Sequence, residues 1–164
     1  MKIIQITDTH LMPHGTNLHG LNPCERLEAC ISSINEFHAD AELCFITGDL
    51  TDQGHRKAYH DLREIFRQLK MPYHPLIGNH DHREIFTEVF PEVPLDENGF
   101  VQQMLATEQG RFLLLDTVEH GKHWGSYCNK RRSWLRKQLK NSRSEDVYLF
   151  MHHPPFNIGI PSLD

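Results

Sequence analysis

Leu43-Cys44-Phe45-Ile46-Thr47-Gly48-Asp49-Leu50-Thr51-Asp52 is the stretch that decides the fold. A nearly all-apolar run of five residues leads straight into a glycine and two carboxylates. A strand without polar alternation is covered on both faces, as in a parallel sheet lying between other layers. Its polar tip then lies at the carboxyl end of that sheet. On the amino-terminal side, Lys2 to Thr7 is a short β-rich run ending in Asp8-Thr9-His10, followed by a polar loop with Gly15, Asn17 and Gly20. Asn22-Pro23-Cys24-Glu25 then reads as a helix start, with Asn at the N-cap, Pro at the first helical position and Glu closing a capping-box-like pair. Leu27, Ile31, Ile34 and Phe37 continue that helix at helical spacing. On the other side, Tyr59, Leu62, Phe66 and Leu69 mark a second amphipathic helix, which Met71-Pro72 ends. Tyr73 to Ile77 is a third strand, stopping at Gly78-Asn79-His80-Asp81. The order βαβαβ predicts parallel strands joined by right-handed crossovers, with the loops after their carboxyl ends gathered on one sheet edge. The three polar tips are therefore expected to meet.

Beyond residue 98 the pattern changes. Phe100 to Leu105 and Arg111 to Asp116 are separated by Thr107-Glu108-Gln109-Gly110, which reads as a hairpin and makes the sheet mixed. Lys130 to Lys140 is a basic helix with Trp134, Leu135 and Leu139 expected inward and its cations on a solvated face. Val147 to Met151 forms one more strand, ending in His152-His153-Pro154-Pro155. No internal repeat, low-complexity tract or linker interrupts the chain, so residues 1–164 are expected to form a single domain.

Composition narrows the function classes. At 164 residues with four cysteines, the chain is large enough to bury a core without disulfide staples. Its longest apolar runs fall far short of a membrane span. A net charge of −5 argues against holding a nucleic-acid polymer by general basicity, so phosphate recognition must come from a local device. The start Met1-Lys2-Ile3-Ile4-Gln5-Ile6 lacks the pattern of a secretory signal, and a cytoplasmic location is expected. Cys24, Cys30, Cys44 and Cys128 contain no Cys-x-x-Cys pair and read as buried free thiols. Thirteen histidines point toward metal chemistry.

The tips hold the candidates for that chemistry. Asp8 and His10, two apart on an extended chain, project to one side and can share a cation. Asp49 follows a buried strand, where an unpaired carboxylate is costly unless a cation or several hydrogen bonds offset it. Asn79 offers an amide oxygen and His152 an imidazole, both ordinary ligands for manganese, iron, cobalt or zinc. Each has a plain alternative alone: Asp49 a turn residue, Asn79 an Asx turn, His152 a satisfied core histidine. Together, all following apolar runs, they point to one site. With Asp49 bridging, the set divides between two divalent ions roughly 3.5 to 4 Å apart, the spacing that turns a bridging water into a hydroxide nucleophile near neutral pH. Two divalent cations facing two carboxylates leave room for a hydroxide and a singly charged phosphodiester, which favours phosphoryl transfer.

Asp8-Thr-His10, Gly48-Asp49-Leu-Thr-Asp52, Gly78-Asn79-His80-Asp81 and His152-His-Pro-Pro155 match, in order and spacing, the blocks of the calcineurin-like metallophosphoesterases. Gln5 to Leu11, Phe45 to Asp52 and Ile77 to Asp81 most resemble the branch of cyclic-nucleotide phosphodiesterases and glycerophosphodiesterases. The resemblance implies an α/β sandwich of mixed β-sheets flanked by helices. It implies a phosphoric diester hydrolase with two divalent metal ions, Asp8 and His10 holding the first, Asp49 bridging, and Asn79 and His152 holding the second. His80 would sit by the phosphoryl group, as acid to the leaving oxygen or as a transition-state donor. The partner implied is a small phosphodiester. Asp81-His82-Arg83-Glu84 also fits a capping box, so Asp81 reads as a helix cap, and Asp52 likewise. His153 takes a non-ligand position, and His14, His19, His55, His60, His82, His120 and His123 read as surface residues. The family's last block, Gly-His-x-His, does not occur after His153. The expectation is therefore an N-terminal part of the full fold, under-coordinated at its metals and prone to homo-oligomerise. The competing reading is a catalytically inactive domain of this type that binds a protein partner.

Overall fold

A computed structural model describes residues 1–142 and 144–159. The elements run β1 (Ile3–Ile6), α1 (Pro23–Phe37), β2 (Leu43–Thr47), α2 (Arg56–Phe66), β3 (Tyr73–Leu76), α3 (Arg83–Val89), β4 (Gln103–Thr107), β5 (Gly110–Leu115), α4 (Asn129–Asn141) and β6 (Val147–Met151). The strands form two three-stranded sheets. The first, β1-β2-β3, is wholly parallel, with Ile3 opposite Leu43 and Cys44 opposite Tyr73. The second, β4-β5-β6, is mixed: β4 and β5 are the expected antiparallel hairpin, and β6 joins β5 in parallel through the α4 crossover. The mixed character therefore belongs to the second sheet alone.

Burial explains the layering. Phe45 and Leu76 point from the first sheet onto Phe112 and Leu114 of the second, and these four buried residues form the seam between the sheets. Phe45 packs against the rings of Phe112 and Phe150 at 5.5 and 4.4 Å. The opposite face of the first sheet, with Cys44 and Ile46, is buried with α1, α2 and α3 through Leu27, Ile31, Leu62, Phe66 and Phe86. The outer face of the second sheet carries Leu113 and Leu115 against Trp134 of α4, with Leu135 packed beside them. Two sheets with helices on both outsides explain why β2 lacks polar alternation. The edge strand β6 leaves Tyr148 and Leu149 exposed.

Helix α1 starts as its sequence implies, with the Asn22 side chain accepting from Cys24 N and Glu25 N and its amide donating to Glu25 at 2.8 Å. Replacing such a cap by alanine costs about 1 kcal/mol. Other expectations fail at element ends. Phe37, the last residue of α1, is exposed, and so is Leu139 in the last turn of α4, because only the middle of that helix lies on the sheet. Arg131 departs from the solvated basic face: it is buried and donates to the backbone carbonyls of Asp116 and Val118. Cys24 and Cys44 are buried, with burial pushing the Cys44 thiol up to about 12, whereas Cys30 is exposed on α1 and Cys128 half-buried. Among the described residues, no helix is long and apolar enough to cross a membrane.

Candidate metal centre

The carboxyl ends of β1, β2, β3 and β6 open on one cleft of about 390 Å³, lined by Asp8, His10, Asp49, Asn79, His80, His123, His152, His153 and Pro154. All five expected ligand residues and His80 therefore face a common space. They arrive from both sheets: His152 follows β6, while the others follow strands of the first sheet.

The backbone reaches this arrangement by a route different from the extended Asp8-x-His10 spacing. Asp8, His10 and Asp49 all adopt left-handed conformations, with φ of 54°, 42° and 49°. Non-glycine residues rarely sit there, and each costs about 1–2 kcal/mol. The cost is held by ladder-like bonds that continue beyond the strands: Asp8 N to Gly48 O (3.1 Å), His10 N to Asp49 O (2.9 Å) and Leu11 N to Leu50 O (3.0 Å). Gly48 itself has φ 98°, and a Cβ there would strike the His152 ring. Glycine is thus required both by its conformation and by the imidazole above it.

Asp49 is the common element of the site. It is 4 % exposed, and its carboxylate lies 3.5 Å from His10 Nε2 and 3.3 Å from His152 Nε2. It also accepts the backbone N–H of His80 at 3.0 Å. Burial pushes its pKa up, yet the His152 hydrogen bond and charge and the His80 N–H outweigh that and hold it below the ordinary carboxylate value. His152 responds in the opposite sense: burial lowers it, and Asp49 more than restores it. Taking one donor atom from each side chain, two groups lie within 4.8 Å: His10, Asp49 and His80, and Asp8, Asp49 and His152. Among the described residues, Asp49 is common to both groups, Asp8 falling with His152 and His80 with His10. Asp8 Oδ1 also lies 3.8 Å from His10 Nε2, the pair expected to share a cation.

The imidazoles carry a second feature of metal sites. A ligating histidine generally directs its other ring nitrogen to an oxygen that fixes tautomer and orientation. His152 Nδ1 lies 2.9 Å from Thr47 O and His80 Nδ1 2.8 Å from Asp52 O, whereas His10 Nδ1 comes within 3.3 Å of the Asp52 carboxylate without making a hydrogen bond. Each arrangement leaves Nε2 for the cleft. The Asp8 and Asp49 carboxylates, the His10 and His152 imidazoles and the Asn79 amide oxygen suit a divalent cation of borderline hardness, and the residues present fit such an ion.

Several readings of the neighbouring residues need correction. Asp81 does not cap α3; the N-cap there is His82, which makes no side-chain cap bond. Asp81 is buried and accepts from Leu50 N, Thr51 N, Gly78 N, the Thr51 hydroxyl and the Tyr59 hydroxyl. Asp52 does not cap α2, whose N-cap is His55; it serves His10 and His80 instead. His123 is solvent-exposed but lines the cleft, and His153 is buried, with Nδ1 2.6 Å from the Thr117 hydroxyl. Burial and the neighbouring His152 push the His153 pKa down to about 4. Its position beside His152 was the available signal in the sequence; nothing local marked His123.

Two sheets faced by helices, with acids and imidazoles collected at the strand ends, define a layered α/β domain with a candidate metal site. The sequence matches the calcineurin-like phosphoesterase family over residues 1–162, and the chain belongs to that family, whose members use divalent metals. It is 38 % identical over its full length to a probable cyclic nucleotide phosphodiesterase of Rhodopseudomonas palustris, covering 61 % of that protein. It is 32 % identical to a probable glycerophosphodiester phosphodiesterase of Arcobacter nitrofigilis, again with all of this chain and 61 % of that one aligned. With the 3',5'-cyclic adenosine monophosphate phosphodiesterase of Escherichia coli K12 it shares 28 % identity over all of this chain and 59 % of that protein. The chain thus spans about three-fifths of the length of these relatives.

Proposed function

We propose that this domain is a dinuclear metal-dependent phosphodiesterase acting on a small phosphodiester, of the cyclic-nucleotide or glycerophosphodiester type named for its relatives. Asp8, His10, Asp49, Asn79 and His152 hold the two ions, with Asp49 shared. The observation that carries this reading is the convergence of those five residues and His80 on one cleft. When bound, the cations supply Lewis acidity and lower the pKa of water. The chain's own residues do the rest. Asp49, stripped of water, offers a fixed negative charge between two imidazoles. The Asp52 carbonyl accepts His80 Nδ1–H and so aims Nε2 at the cleft; in its imidazolium form the ring carries a second proton on Nε2, which it would give to the leaving oxygen or hold on the phosphoryl group.

The test is manganese titration calorimetry with turnover of bis(p-nitrophenyl) phosphate and of cyclic AMP. Asp49→Ala is expected to lose at least one metal and several orders of magnitude in rate; unchanged stoichiometry and turnover would falsify the assignment. His80→Ala is expected to keep the stoichiometry but slow alkyl ester cleavage about 10²- to 10⁴-fold. The loss should be smaller for aryl esters, whose leaving groups need no proton. Equal losses on both would remove the leaving-group acid and leave electrostatic stabilisation.

A further inference from the structure

Two loops meet at the centre of the cleft, one following β2 and carrying Asp49, the other following β3 and carrying Asn79 and His80. Their contact is reciprocal. Asp49, on the first loop, accepts the His80 N–H of the second at 3.0 Å. Asp81, on the second, accepts from the first: Leu50 N at 3.0 Å to Oδ2, with Thr51 N at 3.1 Å and the Thr51 hydroxyl at 3.3 Å both to Oδ1. Asp81 Oδ2 also takes Gly78 N of its own loop at 2.9 Å, and Oδ1 takes the Tyr59 hydroxyl of α2 at 2.9 Å. Tyr59 OH in turn accepts His82 N at 2.8 Å, which fixes the far end of the second loop. Gly78 lies so close to Asp49 that a Cβ would collide with both its carboxylate and its backbone nitrogen.

Five donors on one buried carboxylate exceed what solvation of a structural acid requires at a helix start, and none of them belongs to a cap. Their distribution is informative: three come from the loop of Asp49, one from the loop of Asn79 and one from a helix. A carboxylate that bridges in this way sets the separation of the two loops. Five bonds of ordinary length, from 2.9 to 3.3 Å, restrain the carboxylate from three segments at once, so the setting is stiff. Asp81 itself does not line the cleft, which rules out direct contact with a substrate there.

We propose that Asp81 is the positioning residue of the metal centre, clasping the Asp49 loop to the Asn79 loop so that the shared carboxylate and the amide oxygen stand at ligating separation before a cation arrives. The inference rests on the metal role proposed for Asp49 and Asn79. It assigns Asp81 no chemical step. Removing it lets the two loops drift, so the cation must spend binding energy on reassembling them, and affinity falls.

The experiment compares manganese binding by calorimetry in the wild type, Asp81→Ala, the double variant Tyr59→Phe/Thr51→Val, and the core variant Leu62→Ala. Each is measured at a temperature where circular dichroism shows it folded. Asp81→Ala should weaken manganese binding about 10- to 100-fold, the range for residues that orient ligands. The double variant removes the two hydroxyl donors to Asp81, together with the bonds their oxygens accept from His82 N and Gly54 N, and leaves the three backbone donors, so it should show a smaller loss in the same direction. Should Asp81→Ala not fold, the double variant alone decides the question. Leu62→Ala loses stability without removing any hydrogen bond of either loop and should retain wild-type affinity. Wild-type affinity in both loop variants overturns the clasp, and so does an equal loss in Leu62→Ala, which would reduce Asp81 to general stability. A wild type that binds no manganese overturns the metal reading together with this one; wild-type binding with unaffected Asp81 variants overturns this one alone.

Discussion

Gly78 shows how tightly single residues constrain the cleft. Its missing side chain leaves room for the Asp49 carboxylate and the His152 ring to crowd the loop just beyond β3, where a Cβ would strike both. Gly78→Ala cannot be accommodated by rotating a flexible side chain, because the collisions include the Asp49 backbone nitrogen. The variant should remain folded at low temperature, lose about 1–3 kcal/mol as an overpacked site does, and bind manganese more weakly than the wild type. Denaturation midpoints and calorimetry check both, and undiminished affinity would show that Asp49 tolerates displacement. The ligand-type residues themselves were legible in the sequence, because each follows an apolar run and stands where a strand must end. The roles of Asp81 and Asp52 were not. A capping box is a local pattern, while the partners of Asp81 at Leu50 and Thr51 lie 31 and 30 residues away. The left-handed conformations of Asp8, His10 and Asp49 were equally hidden, since nothing in aspartate or histidine demands them. They follow from the pairing of residues 8–11 with 48–51.

At the scale of elements, apolar runs and helical spacing located the strands and α1, α2 and α4, α3 was signalled only by a capping-box pattern whose cap lies one residue further on, and errors collected where a tertiary partner decides burial. The pattern of α4 placed Leu139 inward and Arg131 outward, and the structure reverses both. Arg131 is drawn in by the Asp116 and Val118 carbonyls and by the ring of Phe100, 4.7 Å from its guanidinium. Asp116, fully buried, takes a two-pronged bond from Arg83 of α3 at 2.8 and 2.9 Å, joining the helices on the two outer faces through the end of β5. Strand β3 carries a half-buried titratable group of another kind. His74 lies beside Phe45, with Nδ1 3.2 Å from Gln103 of β4. Burial lowers its pKa below the ordinary histidine value, against a smaller raising effect of Gln103. A histidine depressed in the folded state binds its proton more readily when unfolded. Its stabilising contribution is therefore complete above about pH 6.5 and is lost as pH falls from there toward the folded value. His74→Leu should flatten the fall in urea midpoint between pH 7.5 and 5. A variant as acid-sensitive as the wild type would place the origin of that fall elsewhere.

Across the whole molecule, the sandwich is assembled from segments distant in sequence, and the cleft inherits that distance. His152 meets Thr47 across 105 positions, on a strand that can pair with β5 only after the α4 crossover is in place. The consequence concerns time. Contacts between residues far apart in the chain carry a large loop-closure entropy and slow the steps that form them. The β1-β2-β3 unit can gather Asp8, His10, Asp49 and Asn79 early, but His152 joins only when the second sheet docks along the Phe45–Phe112–Phe150 seam. In refolding from urea, far-ultraviolet circular dichroism should therefore recover ahead of manganese uptake, and Phe45→Ala should delay uptake more than it delays helix recovery. Simultaneous recovery of both signals in every variant would mean that the two sheets form as one unit. A lag would make cation capture the last event of folding, so that a chain released half-formed carries no centre able to take up metal.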